Sequence, residues 1–156
     1  SSAEAGTTNL LARAFADCPD NAFQKVQPGM ASFSLGQRVG AVAGNGIKLL
    51  GVGIFSSLLG VGITNALVSV RQTLDSAFVP LNPPQDVMVM SAAFGSFLAT
   101  SSNLRYQILA GIIEERGIEV WFKSNLAVCA ALSFIVRTGN TFWGSLLWVD
   151  YIRFLG

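Results

Sequence analysis

Arg137 stands alone inside an apolar run from Asn125 to Val149 and is followed at once by Thr138-Gly139-Asn140-Thr141. A charge at such a depth in lipid costs a few kcal/mol, so it requires a partner, a water-filled cavity or a break in the helix. If 125–149 is one helix, Asp150 lies thirteen residues on and faces elsewhere; if Gly139-Asn140 breaks it, the two halves fold back and can bring Asp150 to Arg137. A carboxylate elsewhere or a lipid headgroup would also satisfy the arginine. The other residue types that do chemistry are thinly spread. Glu114 and Glu115 are neighbouring carboxylates, but successive residues on a helix point about 100° apart. With Arg116 adjacent they read as a solvated charged face rather than an acid–base pair. Cys18, beside Pro19, and Cys129, inside an apolar run, form neither a disulfide framework nor a zinc motif and read as two unrelated thiols. The chain has no histidine, which removes the commonest neutral-pH base and metal ligand and every Ser/His or Cys/His nucleophile. No catalytic residue set and no metal site is predicted. Asn65, Asn103, Arg105, Arg137, Asn140 and Asp150 remain as buried polar or partner-contact candidates.

The elements that must position these residues are membrane helices. Between Lys48 and Arg71 the chain runs 22 residues without a charge, about 33 Å of helix and long enough to cross a hydrocarbon layer of about 30 Å. Within this first span LLGVGI recurs after nine residues, so its glycines fall on opposite sides. Gly51 and Gly62 share a face with Gly44, and Gly53 and Gly60 share the other with Gly46. Two small-residue stripes admit two closely packed neighbours, which predicts a central helix packed through Gly51, Gly53, Gly60 and Gly62. Pro80, Pro83 and Pro84 then force a loop. Residues 87–104 are again uncharged and form the second span, ending in Ser101-Ser102-Asn103 against Arg105. Residues 105–124 mix Arg105, Glu114, Glu115, Arg116, Glu119 and Lys123 with Ile and aromatic residues, the pattern of an amphipathic helix at the membrane surface. Residues 125–149 form the third span.

The predicted architecture is all-α: an integral membrane bundle of three to four spans plus one interfacial helix. A polar arm, 1–30, contains a short amphipathic pattern at Leu10, Leu11, Ala14 and Phe15 and lies on the membrane or a partner. The helical domain is 31–156, with 31–47 either interfacial or a fourth span. Half of the residues are apolar (51%) and only 12% are charged, against about 25% in an ordinary soluble domain. A net charge of +1 with no basic block offers nothing to nucleic acid. Seven of the ten Lys and Arg residues fall on the side shared by the N-terminal part and 105–124, with Arg71 and Arg153 opposite, so the N-terminus faces the cytosol-equivalent side. The missing Met is what a processed precursor or a truncated chain would show.

Several blocks carry a recognisable pattern: Gln37-Arg38-Val39-Gly40, SSNLRYQ at 101–107, Gly111-Ile112-Ile113-Glu114-Glu115-Arg116, and Arg137-Thr138-Gly139-Asn140-Thr141-Phe142 through Gly144 to Tyr151. Over about residues 36–156 the chain resembles the RETICULATA-related family of plants and green algae. The resemblance implies a nuclear-encoded, multi-spanning plastid protein that has lost a transit peptide. It places the protein in the inner envelope ahead of the thylakoid, with the N-terminus in the stroma. It brings no reaction and no catalytic residues. The expected role is a structural or assembly subunit of a larger plastid membrane complex, in contact with lipids and other membrane subunits. The alternative is an oligomeric carrier or channel for a small anionic or amino-acid metabolite, with Arg137 and Asn140 near the midplane. An enzyme is not expected, no cofactor is predicted, and pigment or lipid ligands are left open.

Overall fold

The computed structural model describes residues 12–156; Leu10 and Leu11 of the predicted arm helix lie outside them. Among the described residues there is no strand, and three long helices dominate: α1 (Leu35–Leu74), α2 (Val87–Trp121) and α3 (Leu126–Leu155). Each is long and apolar enough to cross a membrane. Their starts follow from local chemistry. Ser34 accepts the Gln37 amide at 3.2 Å while the Gln37 side chain accepts the Ser34 amide at 2.8 Å, a complete capping box that opens α1. After the proline loop the Asp86 carboxylate accepts the Val89 amide at 2.9 Å, and Asn125 accepts the Val128 amide at 3.2 Å after the tight turn at 122–125.

The helix borders decide three questions the sequence raised. Residues 35–47 are not a separate helix: they are the first turns of α1, because the capping box lies at Ser34 and nothing later interrupts the helix. Residues 105–121 are not a separate amphipathic helix, since helical bonding runs from Val87 to Trp121 without a turn. Arg105, Glu114, Glu115 and Arg116 find partners within the chain, so the segment has no need to leave the bundle. Gly139-Asn140 does not break α3, which is continuous from Leu126 to Leu155; one glycine costs a helix only about 1 kcal/mol.

The helix with neighbours on both sides is α2, not α1: α1 packs along it on one flank and α3 on the other. The α1–α2 approach is closest at Gly53 and Gly95. A Cβ on Gly53 would lie 2.7 Å from the Gly95 Cα, and a Cβ on Gly95 would lie 2.9 Å from the Leu50 carbonyl oxygen. Gly51, Gly60 and Gly62 have open space where a side chain would go. Toward α3 the contact is aromatic, with Trp148 edge-on to Phe94 and Phe97 at centroid distances of 5.0 and 5.3 Å.

Two stretches of α2, Leu98–Ser102 and Leu109–Ile118, adopt the wider π-helical turn. At about 100° per residue Asn103, Gln107, Gly111, Glu114 and Ile118 share one face of α2, and all five are buried.

Candidate functional site

The polar residues of α2 divide into three groups by what they meet. The first faces α1 and the arm. Asn103, 1% exposed, donates to the Val42 carbonyl at 2.8 Å and accepts from the Gln107 side chain at 3.3 Å. Gln107, equally buried, accepts the Ala22 amide at 2.8 Å, and its own carbonyl receives the Asn21 side-chain amide at 3.0 Å. Arg116 donates twice to the Phe23 carbonyl at 2.9 and 3.2 Å, and Arg38 from α1 donates to the Ala22 carbonyl. The Lys25 amide meets the Glu115 carboxylate at 2.8 Å. The 20–25 part of the arm is therefore seated in the α1–α2 groove, its backbone groups paired with side chains of both helices. Gly111 makes room for it, since a Cβ there would collide with Asn21 and Phe23.

The second group joins α2 to α3 through charge. The Arg137 guanidinium donates from Nε and Nη2 to both oxygens of Glu114, at 2.6 and 2.7 Å. This fork geometry fixes orientation as well as charge. Glu114 is buried, which corrects the reading of Glu114 as part of a solvated face: it lies on the buried face of α2 and is met there by Arg137 of α3. Asp150 is not brought to Arg137. It lies exposed on the same unbroken helix and pairs loosely with Arg153 at 3.8 Å.

The third group is centred on Arg105. Its Nε donates to Asn140 Oδ1 at 3.1 Å, Nη1 to Ser101 Oγ at 2.7 Å and Nη2 to Ser102 Oγ at 3.1 Å, while the guanidinium lies 5.6 Å from the centre of the Phe97 ring. Gly144 of α3 leaves the space the guanidinium occupies, since a Cβ there would be 2.6 Å from Nη2. Arg105 and Asn140 border a cavity of about 690 Å³ between α1 and α3, which Lys48 also lines. A second cavity of about 400 Å³ continues along the same crevice beyond Phe94 and Trp148, bordered by Ser57, Thr64 and Asn65. Asn65 has a further structural task, donating to the Gln85 carbonyl at 2.8 Å and so holding the proline loop to α1. Among the described residues, no group of three His, Cys, Asp or Glu side chains is arranged to hold a metal.

Comparison with known proteins places this architecture. A family model described as RETICULATA-like, Protein RETICULATA-related, matches residues 1–112. The chain is 47% identical over 150 residues to Protein RETICULATA-RELATED 4, chloroplastic, of Arabidopsis thaliana, covering 96% of this chain and 39% of that protein. The chain belongs to the RETICULATA-related family. It is also 39% identical over 140 residues to RETICULATA-RELATED 5 of the same plant, covering 88% of this chain and 19% of the relative. With Protein RETICULATA it shares 32% over 158 residues, covering 99% and 35%. The chain thus spans about two fifths or less of the length of these RETICULATA-related proteins, all designated chloroplastic. The match includes the arm, which by pattern alone lay outside the recognisable part. No solved structure matches the chain.

Three residues that organise these groups were not singled out by their sequence context: Gln107, Glu114 as a buried partner, and Arg38 as an arm anchor. The signal for Gln107 was its spacing of four from Asn103 among apolar residues, with Gly111 four further on.

Proposed function

We propose that this chain is the membrane-embedded helical part of an integral chloroplast membrane protein that serves as a structural or assembly subunit of a larger plastid membrane complex. The observation that carries the reading is the bareness of α3: no residue of its most apolar stretch is buried, and Phe134, Phe142, Trp143 and Leu146 stand exposed along it. Lipid can cover such side chains, but the open glycine face of α1 at Gly51 and Gly62 favours close helix neighbours as well. Those neighbours come from the remainder of the full-length protein or from other subunits. The charge bias of the sequence supports a stromal N-terminus, and the inner envelope is the proposed membrane. No catalytic step is assigned. The test is native size: gentle solubilisation of plastid membranes, density-gradient separation and mass spectrometry of what travels with the protein. Comigration with a large assembly in fixed stoichiometry is the expected result; migration alone would overturn it.

The crevice between α1 and α3 favours a second reading, an oligomeric carrier or channel for a small anionic or amino-acid metabolite. Unchanged flux through reconstituted vesicles after Arg105→Gln and after Arg137→Ala would discard it.

A further inference from the structure

Two arginines join α2 and α3, and the chain treats them oppositely. Arg137 receives a forked carboxylate from Glu114. Arg105, whose partner Asn140 lies three residues from Arg137, receives only neutral oxygens from Asn140, Ser101 and Ser102. Among the described residues neither Arg105 nor Lys48 has a carboxylate within ion-pair distance, although both border the same cavity. A guanidinium has five N–H donors, of which three are occupied here, leaving one on each terminal nitrogen. Two terminal N–H groups of a guanidinium can donate to two oxygens of one carboxylate or phosphate. The position of the group is built, not incidental: Gly144 leaves the volume it fills, and Phe97 flanks it at 5.6 Å.

We infer that the cavity between α1 and α3 is an oxyanion site, in which Arg105 and Lys48 bind the phosphate or carboxylate head of a ligand while Asn140 and the two serines hold the arginine in place. The apolar flank formed by Phe94, Leu98 and Trp148 accommodates a hydrocarbon portion of the same molecule. An anionic lipid headgroup and a free phosphate present the same oxygens to this site. The assignment goes beyond the subunit reading and stands under either role for the protein.

The experiment uses the full-length protein in nanodiscs, with thermal midpoint as the readout. Three conditions are compared: phosphatidylcholine alone, phosphatidylcholine with phosphatidylglycerol, and phosphatidylcholine with inorganic phosphate at matched ionic strength. The expected result is a midpoint rise of about 5 °C in one anionic condition. A rise with phosphatidylglycerol alone identifies a lipid headgroup as the source, and a rise with phosphate a soluble ligand. Arg105→Gln should abolish the rise, and Lys48→Gln, at an exposed position that leaves folding intact, should reduce it by at least half. Arg153→Gln removes an equal charge at an exposed position outside the site and should leave it. No rise in either anionic condition, a full rise in both Arg105→Gln and Lys48→Gln, or an equal loss in Arg153→Gln would each overturn the assignment.

Discussion

Glu114 and Arg137 form the ion pair across the α2–α3 junction. Replacing Glu114 with Gln keeps the shape but removes the charge that both guanidinium nitrogens meet. Arg137 is more than half exposed, with 61% of its side chain accessible against 7% for Glu114. The loss should therefore fall below that of a wholly buried pair, at about 1–3 kcal/mol, read as a lower thermal midpoint. The exchanged pair Glu114→Arg with Arg137→Glu should recover part of it, and a double-mutant cycle should show coupling of about 1 kcal/mol or more. Gln107→Leu should act differently, because it leaves the Ala22 amide without its acceptor inside the groove. A cost of about 1–3 kcal/mol and faster tryptic cleavage after Lys25 are expected. That Arg137 needed a partner was legible from its apolar surroundings. Which partner was not, since Glu114 sits beside two other charges and only its rotation into the bundle separates it from Glu115.

At the scale of elements, the glycines of α1 sort by what stands opposite. Gly53→Leu would drive a side chain into the Gly95 backbone and should part the helices, with loss of the folded protein. Gly62→Leu meets open space and should leave the isolated protein's stability within about 0.5 kcal/mol of unchanged. If that open face seats another helix, Gly62→Leu should still strip the protein from its assembly on a density gradient. The nine-residue repeat revealed two stripes but could not say which was occupied within the chain. The borders of α2 show a similar limit. Charges at 105–119 mark a segment as surface-seeking only when water is their sole available partner. Here arm carbonyls, serine hydroxyls and Arg137 take that place, and the helix continues.

For the whole molecule, α1 and α3 flank α2 in a partial bundle, with the arm seated in one groove and a crevice on the opposite side of α1. Groove and crevice are occupied differently: the groove by the chain's own backbone between Asp20 and Lys25, the crevice by nothing the described residues supply. Removing residues 1–25 should therefore lower the thermal midpoint by unpairing Gln107, Arg38 and Arg116 together. It should leave the anion response of the crevice intact in the same nanodisc assay, because no arm residue borders it.

Hydrophobic run length, proline positions and capping residues act within a few residues along the chain, so the sequence by itself determined the helical class, three apolar helices and the proline loop. Blocks such as SSNLRYQ sufficed for the family. Which helix lies in the middle, which carboxylate meets Arg137 and where the arm rests were decided only in the tertiary structure. Each depends on contacts between residues from about 23 to 93 positions apart, which no local pattern in the sequence can set.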